Sequence, residues 1–120
     1  MALNDIPGHE GVIAVFGECS LCDFPDLDFF CLDTYYNEDR EVFEKILTIR
    51  MKGGKGRIEI MLGNVSSVTL QDAHQITGLD IKSIADRGWD RKKFEIRDYE
   101  ENRIAGFAEQ AAVSAVKEKW

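Results

Sequence analysis

Three cysteines and one histidine near the start of the chain are the residues whose types could hold a metal ion. Cys19 and Cys22 form a Cys-x-x-Cys pair, with Cys31 nine residues after it and His9 ten residues before it. Structural zinc sites usually combine two short ligand pairs, and this segment supplies only one. The spacing therefore gives weak support to zinc.

The same pair could in principle carry out thiol–disulfide chemistry. A redox cysteine needs a positive environment that lowers its pKa, whereas Glu18 and Asp23 flank this pair. Both carboxylates should raise the thiol pKa. We therefore interpret Cys19 and Cys22 as reduced thiols and Cys31 as a core residue.

Four aspartates, Asp23, Asp26, Asp28 and Asp33, form the densest group of carboxylates and could bind a divalent cation. The group lacks the order of a calcium loop, in which alternating acids are followed by glycine and a distal glutamate. The pattern favours carboxylates that face solvent or a binding partner.

Other motifs that could support catalysis are weak. His9 and His74 are the only histidines, which is too few to indicate a nucleophilic triad. The glycine-rich segment 53–56 lacks the spacing and the following Lys-Ser or Lys-Thr pair of a phosphate-binding loop. We therefore predict no catalytic residue, no metal site, no cofactor and no enzymatic activity.

Charge gives the clearest indication of a partner. The net charge is −7, but residues 1–44 hold eleven acids and one base, a local charge of −10. Nucleic-acid binding depends on cationic residues that displace phosphate counterions, so an acidic chain is a poor candidate for it. A basic protein suits this surface better.

The elements that must position these residues are mainly strands. Apolar and polar residues alternate from Phe43 to Met51 and again from Ile58 to Leu62, with Gly53-Gly54-Lys55-Gly56 between them. This pattern predicts an antiparallel hairpin. Shorter alternating runs predict further strands at residues 68–70, 79–81 and 94–96.

Three segments are defined less clearly by pattern. Residues 11–17 are apolar and bounded by glycine, and residues 27–36 are rich in aromatic residues, so we predict that both are extended. Residues 106–120 contain alanines that favour a helix and an alternation that fits a strand, and periodicity does not decide between them.

The chain length of 120 residues and the absence of a linker predict one domain spanning residues 1–120. The fold class that we predict is mainly β, an antiparallel sandwich or open barrel with few short helices. The alternative is an α+β fold with a C-terminal helix on the sheet. No apolar run is long enough to cross a bilayer and the N-terminus does not resemble a signal peptide, so we expect a cytoplasmic protein without a membrane partner.

Several motifs resemble those of a known group of proteins. They are CDFPD at 22–26, GNVSSVTL at 63–70, ITGLDI at 76–81, Gly88-Trp89, FEIRDYEEN at 94–102 and Ile104. Together they are similar to small bacterial proteins grouped with the immunity proteins of polymorphic-toxin and contact-dependent inhibition systems. The similarity covers residues 22–107, and its motifs are strand and turn signatures.

This resemblance implies an antiparallel β domain that binds a cognate toxin and blocks it without catalysis. It also favours an extended C-terminal segment. If the toxin is a cationic nuclease, the acidic surface should contact it. The predicted contact residues are Asp23, Asp26, Asp28, Tyr35, Glu38, Asp39, Trp89, Glu100 and Glu101. The alternative function is a small-ligand or lipid-binding β module, which should contain an apolar cavity with a few polar groups.

Overall fold

The computed structural model describes residues 6–71, 79–84, 86, 88, 92–98 and 104–116. Trp89, Glu100, Glu101 and His74 lie outside the described residues. Within the described residues the chain forms helix α1 (His9–Phe16), a 3-10 turn (Leu21–Asp23) and eight strands. The strands are β1 (Asp26–Asn37), β2 (Val42–Gly53), β3 (Gly56–Gly63), β4 (Ser66–Leu70), β5 (Leu79–Ser83), β6 (Phe94–Asp98), β7 (Ile104–Ala108) and β8 (Gln110–Val116).

The first sheet has the strand order β1-β2-β3-β8 and the second has the order β4-β7-β6-β5. Every pairing is antiparallel. The predicted hairpin is confirmed: β2 and β3 pair from Ile46↔Gly63 to Gly53↔Gly56 and are joined by Gly54 and Lys55. The mainly β sandwich is likewise confirmed.

After β3 the chain passes from the first sheet into the second as β4, and after β7 it returns to the first sheet as β8. These two crossings form a corner of the sandwich. The backbone crosses at Asn64 and Val65 on one side and at Glu109 on the other. Asn64 has a φ of 49°, and the Glu109 N–H donates to the carbonyl of Gly63 (3.0 Å), so pairing continues through the bend. The C-terminal segment is therefore extended through β7 and β8, which resolves the choice that periodicity left open.

The prediction that residues 11–17 are extended is wrong, because His9–Phe16 is helical. Gly17 ends the helix with a φ of 77° and donates its N–H to the carbonyl of Ile13 (2.8 Å). Val12 is fully buried, and Phe16, one turn later, packs on Phe24 with ring centroids 5.6 Å apart. The glycines at the ends of this segment are helix termini, and the i, i+4 spacing of Val12 and Phe16 was the available signal.

The core lies between the sheets and alternates along each strand. Its fully buried side chains include Leu47, Ile49, Met51, Ile58, Ile60 and Leu62 from the first sheet and Leu79, Ile81, Ile96 and Ile104 from the second. Leu21 and Phe24, which follow α1, close one side. None of the described helices is long and apolar enough to span a bilayer.

Candidate protein-binding surface

Strand β1 differs from its neighbours because none of its twelve residues is buried. Its partner β2 shows the ordinary alternation, with Leu47, Ile49 and Met51 buried. Apart from Leu27, which packs against the core, the large apolar residues of β1 and of the start of β2 remain substantially exposed, and Phe43 reaches 72%. These exposed residues are Phe29, Phe30, Leu32, Tyr35, Tyr36, Val42 and Phe43. We refer to residues 26–44 as the hairpin surface.

The register explains why both faces of β1 are exposed. Phe30 and Leu32 lie opposite Ile49 and Leu47, so they are on the core side of the sheet. They are nevertheless 43% and 39% exposed, whereas Ile49 and Leu47 are fully buried. The second sheet therefore covers β2 but leaves β1 overhanging. Exposed apolar side chains concentrated on one strand in this way are typical of an interaction site.

A buried carboxylate closes the far end of this hairpin. Glu44 is only 4% exposed and accepts hydrogen bonds from Tyr35 Oη (2.7 Å), Asn37 Nδ2 (2.8 Å) and Arg40 Nη1 (3.1 Å). Three donors on one buried carboxylate satisfy the group and fix the side chains that supply them. Tyr35 is thus held in place by its hydroxyl while its ring stays partly exposed.

Arg40 extends this network to the corner of the sandwich. Its guanidinium makes a bidentate contact with Glu109, Nη1–Oε1 at 2.7 Å and Nη2–Oε2 at 3.1 Å. Asn64 Nδ2 also donates to Glu109 Oε1 (3.1 Å). The turn between β1 and β2 is therefore connected through Arg40 and Glu109 to both points at which the chain crosses between the sheets.

The network shifts the titration of its members in the expected directions. Hydrogen bonds from Asn37 and Tyr35, followed by the charge of Arg40, lower the pKa of Glu44 despite its burial. The hydrogen bond to Glu44 raises the pKa of Tyr35, and the carboxylate of Glu109 raises that of Arg40. At neutral pH the network therefore holds an ionised Glu44, a neutral Tyr35 and a charged Arg40.

The turn at the end of the hairpin presents two of the predicted contact residues, Glu38 and Asp39. Both are exposed, and the Asn37 carboxamide oxygen accepts a hydrogen bond from the backbone N–H of Asp39 (3.0 Å). Glu41 completes the turn with a φ of 56°. The turn is thus shaped by local hydrogen bonds that leave both carboxylates facing outward.

The remaining predicted aspartates have structural partners. Asp23 Oδ2 accepts the backbone N–H of Ser20 (2.9 Å) and caps the 3-10 turn. Asp28 lies at a register shift of β1, between Lys52 Nζ (3.7 Å) and Arg57 Nε (3.5 Å). Asp26 lies at the start of β1 and is half-buried. Five of the predicted contact residues therefore belong to the hairpin surface, while Asp23 lies beside it. They are Asp26, Asp28, Tyr35, Glu38 and Asp39.

Cys19 and Cys31 lie in environments that disfavour the thiolate. Burial, followed by the charge of Asp23, raises the pKa of Cys19, and a hydrogen bond with Asp33 raises that of Cys31. Cys19 and Cys31 are both free thiols. Cys31 is only half-buried and lies on the outer face of β1, opposite Thr48, so the prediction that it is a core residue is wrong. Within the parts of the chain that the structure describes, no three His, Cys, Asp or Glu side chains converge as metal ligands.

A cleft of about 380 Å³ adjoins the hairpin surface on the outer side of the first sheet. Its lining includes Tyr35, Ile46, Met61 and Ala112. A second cleft, of about 350 Å³, lies between the end of α1 and the turn after β2, beside Phe16, Lys55 and Arg57. Both open to solvent.

Sequence reasoning missed most of the exposed aromatic residues. The available signal was the pairs Phe29-Phe30 and Tyr35-Tyr36, because adjacent residues of a strand point to opposite faces. Two aromatic pairs in one strand therefore place aromatic rings on both faces, and a sheet with one covered face exposes half of them. The Glu109 contact had no local signal, since it lies 69 residues from Arg40.

Comparisons of the chain with models of protein families, with curated proteins and with solved structures find no match. The function is therefore inferred from the geometry of the hairpin surface.

Proposed function

We propose that this protein acts by binding another protein over the hairpin surface, and that it neutralises a toxin by covering it. The observation that carries the proposal is that β1 contains no buried residue and exposes aromatic and aliphatic side chains on both of its faces. Exposing such a surface is unfavourable in water, and contact with a partner would relieve that cost. Aromatic residues are also the commonest anchors of protein interfaces.

Charge supports a cationic partner. Residues 26–44 contain seven acids and one base, a charge of −6, and that base, Arg40, is held by Glu44 and Glu109. An anionic surface accelerates association with a cationic protein and disfavours other partners. A toxin that acts on nucleic acid would present such a cationic surface.

The polar network supports binding by a preformed surface. Tyr35, Asn37 and Arg40 are fixed by their hydrogen bonds to the buried Glu44. A surface that is ordered before association loses less conformational entropy when it binds. The network therefore favours tight binding although it lies at the tip of a hairpin.

The test is coexpression with the toxic domain encoded directly upstream, because immunity proteins are encoded beside their toxins. We expect the wild-type chain to restore growth of cells that produce the toxic domain and to purify in complex with it. Growth arrest in the presence of well-folded wild-type protein would overturn the proposal.

A small-ligand or lipid-binding module is the second candidate, and the cleft of about 380 Å³ beside Tyr35 and Met61 favours it. A volume of this size is within the ordinary range of small-ligand sites. Native mass spectrometry of the purified chain distinguishes the two candidates. A stoichiometric small molecule would favour the ligand module, and a mass equal to that of the chain alone would favour the inhibitor.

A further inference from the structure

The two edge strands of the first sheet, β1 and β8, differ in whether another segment of the chain covers them. At β8, the Val113 N–H donates to the carbonyl of Pro7 (2.9 Å), so the segment before α1 covers that edge. At β1, only β2 is paired among the residues that the structure describes. The β1 edge therefore presents backbone donors and acceptors that could join a further strand.

The β1 edge is long and regular. From Phe29 to Asn37 it pairs with β2 without a register shift, and the irregularity at Asp28 lies outside this stretch. The strand contains no proline, lysine or arginine, the residues with which natural sheets usually block edge pairing. Nine residues exceed the commonest strand length of about five to six, so there is room for a complete partner strand.

The charge of the edge selects between the strands that could occupy it. A second copy would bring another β1, with Asp26, Asp28 and Asp33 and no base, against the first. Two such surfaces repel each other, whereas a segment with lysine or arginine is attracted. The occupant favoured by charge is therefore an extended cationic segment of another protein.

We infer that the β1 edge accepts an extended cationic segment of the bound protein as a fifth strand of the first sheet. This inference rests on the proposed function and specifies how the partner is held. Backbone hydrogen bonds along Phe29–Asn37 would provide the pairing, and the side chains of β1 would select the sequence.

The two faces of β1 set the pattern of the incoming strand. Cys31, Asp33 and Tyr35 lie on the outer face, opposite Thr48, Ile46 and Glu44, and we expect a basic residue of the partner beside Asp33. Phe30, Leu32 and Tyr36 lie on the core side and should contact apolar residues. Alternating basic and apolar residues are the sequence that this edge recognises.

Two adjacent proline variants, Leu32→Pro and Asp33→Pro, test the edge. Neighbouring residues of an antiparallel strand direct their N–H groups to opposite sides, so one variant removes a donor to β2 and the other removes a donor to the edge. We expect one variant to be destabilised. The other should fold and melt like the wild type but bind the purified toxic domain at least about tenfold more weakly.

A peptide probe provides a test that does not depend on folding of the variants. The probe is an acetylated peptide of alternating lysine and valine, about eight residues long, and its control replaces lysine with glutamate. Amide hydrogen exchange of the wild-type chain should slow at alternate residues of 29–37 with the lysine peptide and stay unchanged with the glutamate peptide.

Two results would overturn the inference. The first is an edge-facing proline variant that folds and binds the toxic domain with wild-type affinity. The second is unchanged hydrogen exchange of the β1 amides in the presence of the lysine peptide, whether the peptide binds elsewhere on the chain or does not bind. Restored growth in either case would leave the proposed function standing. Loss of growth protection by the wild-type chain would instead remove the proposed function itself.

Discussion

At the scale of single residues, Glu44 is the group on which the tip of the hairpin depends. It is buried, it accepts three hydrogen bonds, and it connects β1, the turn and β2 through one carboxylate. An ionised carboxylate with these donors is satisfied, but a protonated one would lose acceptor capacity and the attraction of Arg40. The hairpin should therefore be sensitive to protonation of this side chain.

We predict that the contribution of Glu44 to stability is lost in acid. Its folded pKa lies below the ordinary value of 4.5, so the contribution is complete above that pH and declines as the pH falls through the lowered pKa. The Glu44→Gln variant should be less stable than the wild type near neutral pH. In denaturant titrations at successively lower pH, the difference in free energy of unfolding between the wild type and Glu44→Gln should shrink.

Glu38→Gln serves as the control, because Glu38 is exposed in the same turn. It should follow the wild type at every pH. If the difference in free energy of unfolding between the wild type and Glu44→Gln stays constant from pH 7 into the acid range, ionised Glu44 does not stabilise the fold as predicted.

At the scale of elements, close packing decides which glycines of the β2–β3 turn matter. A Cβ at Gly53 would overlap the carbonyl oxygen of Asp23, whereas a Cβ at Gly54 would meet nothing within 4 Å. Gly53 therefore allows the chain before β1 to lie against the turn. The backbone of the 3-10 turn cannot move freely, because Leu21 at its start and Phe24 directly after it are buried.

We predict that Gly53→Ala lowers the free energy of unfolding by about 1–3 kcal/mol, since the added methyl group forces a backbone shift in a packed region. The adjacent Gly54→Ala is the matched control and should change it by less than about 1 kcal/mol. Thermal and urea denaturation measure both. Equal effects of the two substitutions would show that the close approach at Gly53 is absent.

The extended form of the C-terminal segment leads to another prediction. Ala111 is buried and Ala112 is exposed, since they alternate along β8. Ala111→Lys should reduce stability by more than about 2 kcal/mol because it places a cation in the core, and Ala112→Lys should have little effect. Circular dichroism melting curves compare them. Similar losses for both variants would be inconsistent with the strand.

Local patterns predicted the elements whose side chains alternate and failed where packing decides. The β2–β3 hairpin was predictable because its apolar residues alternate on both sides of a glycine turn. The helix at His9–Phe16 was harder to predict, because a short apolar segment fits either state and the i, i+4 spacing of Val12 and Phe16 spans a single turn. Nor could a sequence pattern reveal that the second sheet stops short of β1, which is a property of the whole fold.

The candidate site was predictable in part for the same reason. The acidic character of the first third and the exposed turn acids Glu38 and Asp39 follow directly from composition. The Arg40–Glu109 contact follows only from the topology that brings β8 beside β3 and the corner beside the turn. Exposure of Phe43 likewise depends on what the fold leaves uncovered.

At the scale of the whole molecule, the location of charge should matter more than its sum. Glu38→Lys with Asp39→Lys, and Glu10→Lys with Glu18→Lys, each change the net charge from −7 to −3. The first pair lies on the hairpin surface and the second lies on and just after α1. All four side chains are exposed.

We predict that the hairpin pair slows association with the cationic partner by about tenfold at low salt and that the other pair has a smaller effect. Stopped-flow measurements at several salt concentrations should show that the difference in association rate between the two double variants becomes smaller as salt screens the charges. Equal association rates for the two double variants would indicate that the hairpin surface has no part in steering.

The central claim is that the exposed apolar side chains of the hairpin surface hold a partner protein. Phe43 is 72% exposed on this surface and Val15 is 57% exposed on α1, so either can be replaced by serine without disturbing the core. The most direct measurement is calorimetric titration of the upstream-encoded toxic domain with the wild type, Phe43→Ser and Val15→Ser. We predict that Phe43→Ser weakens binding at least about tenfold and that Val15→Ser leaves it unchanged. Equal affinities for all three chains, or no binding by the wild type, would contradict the claim.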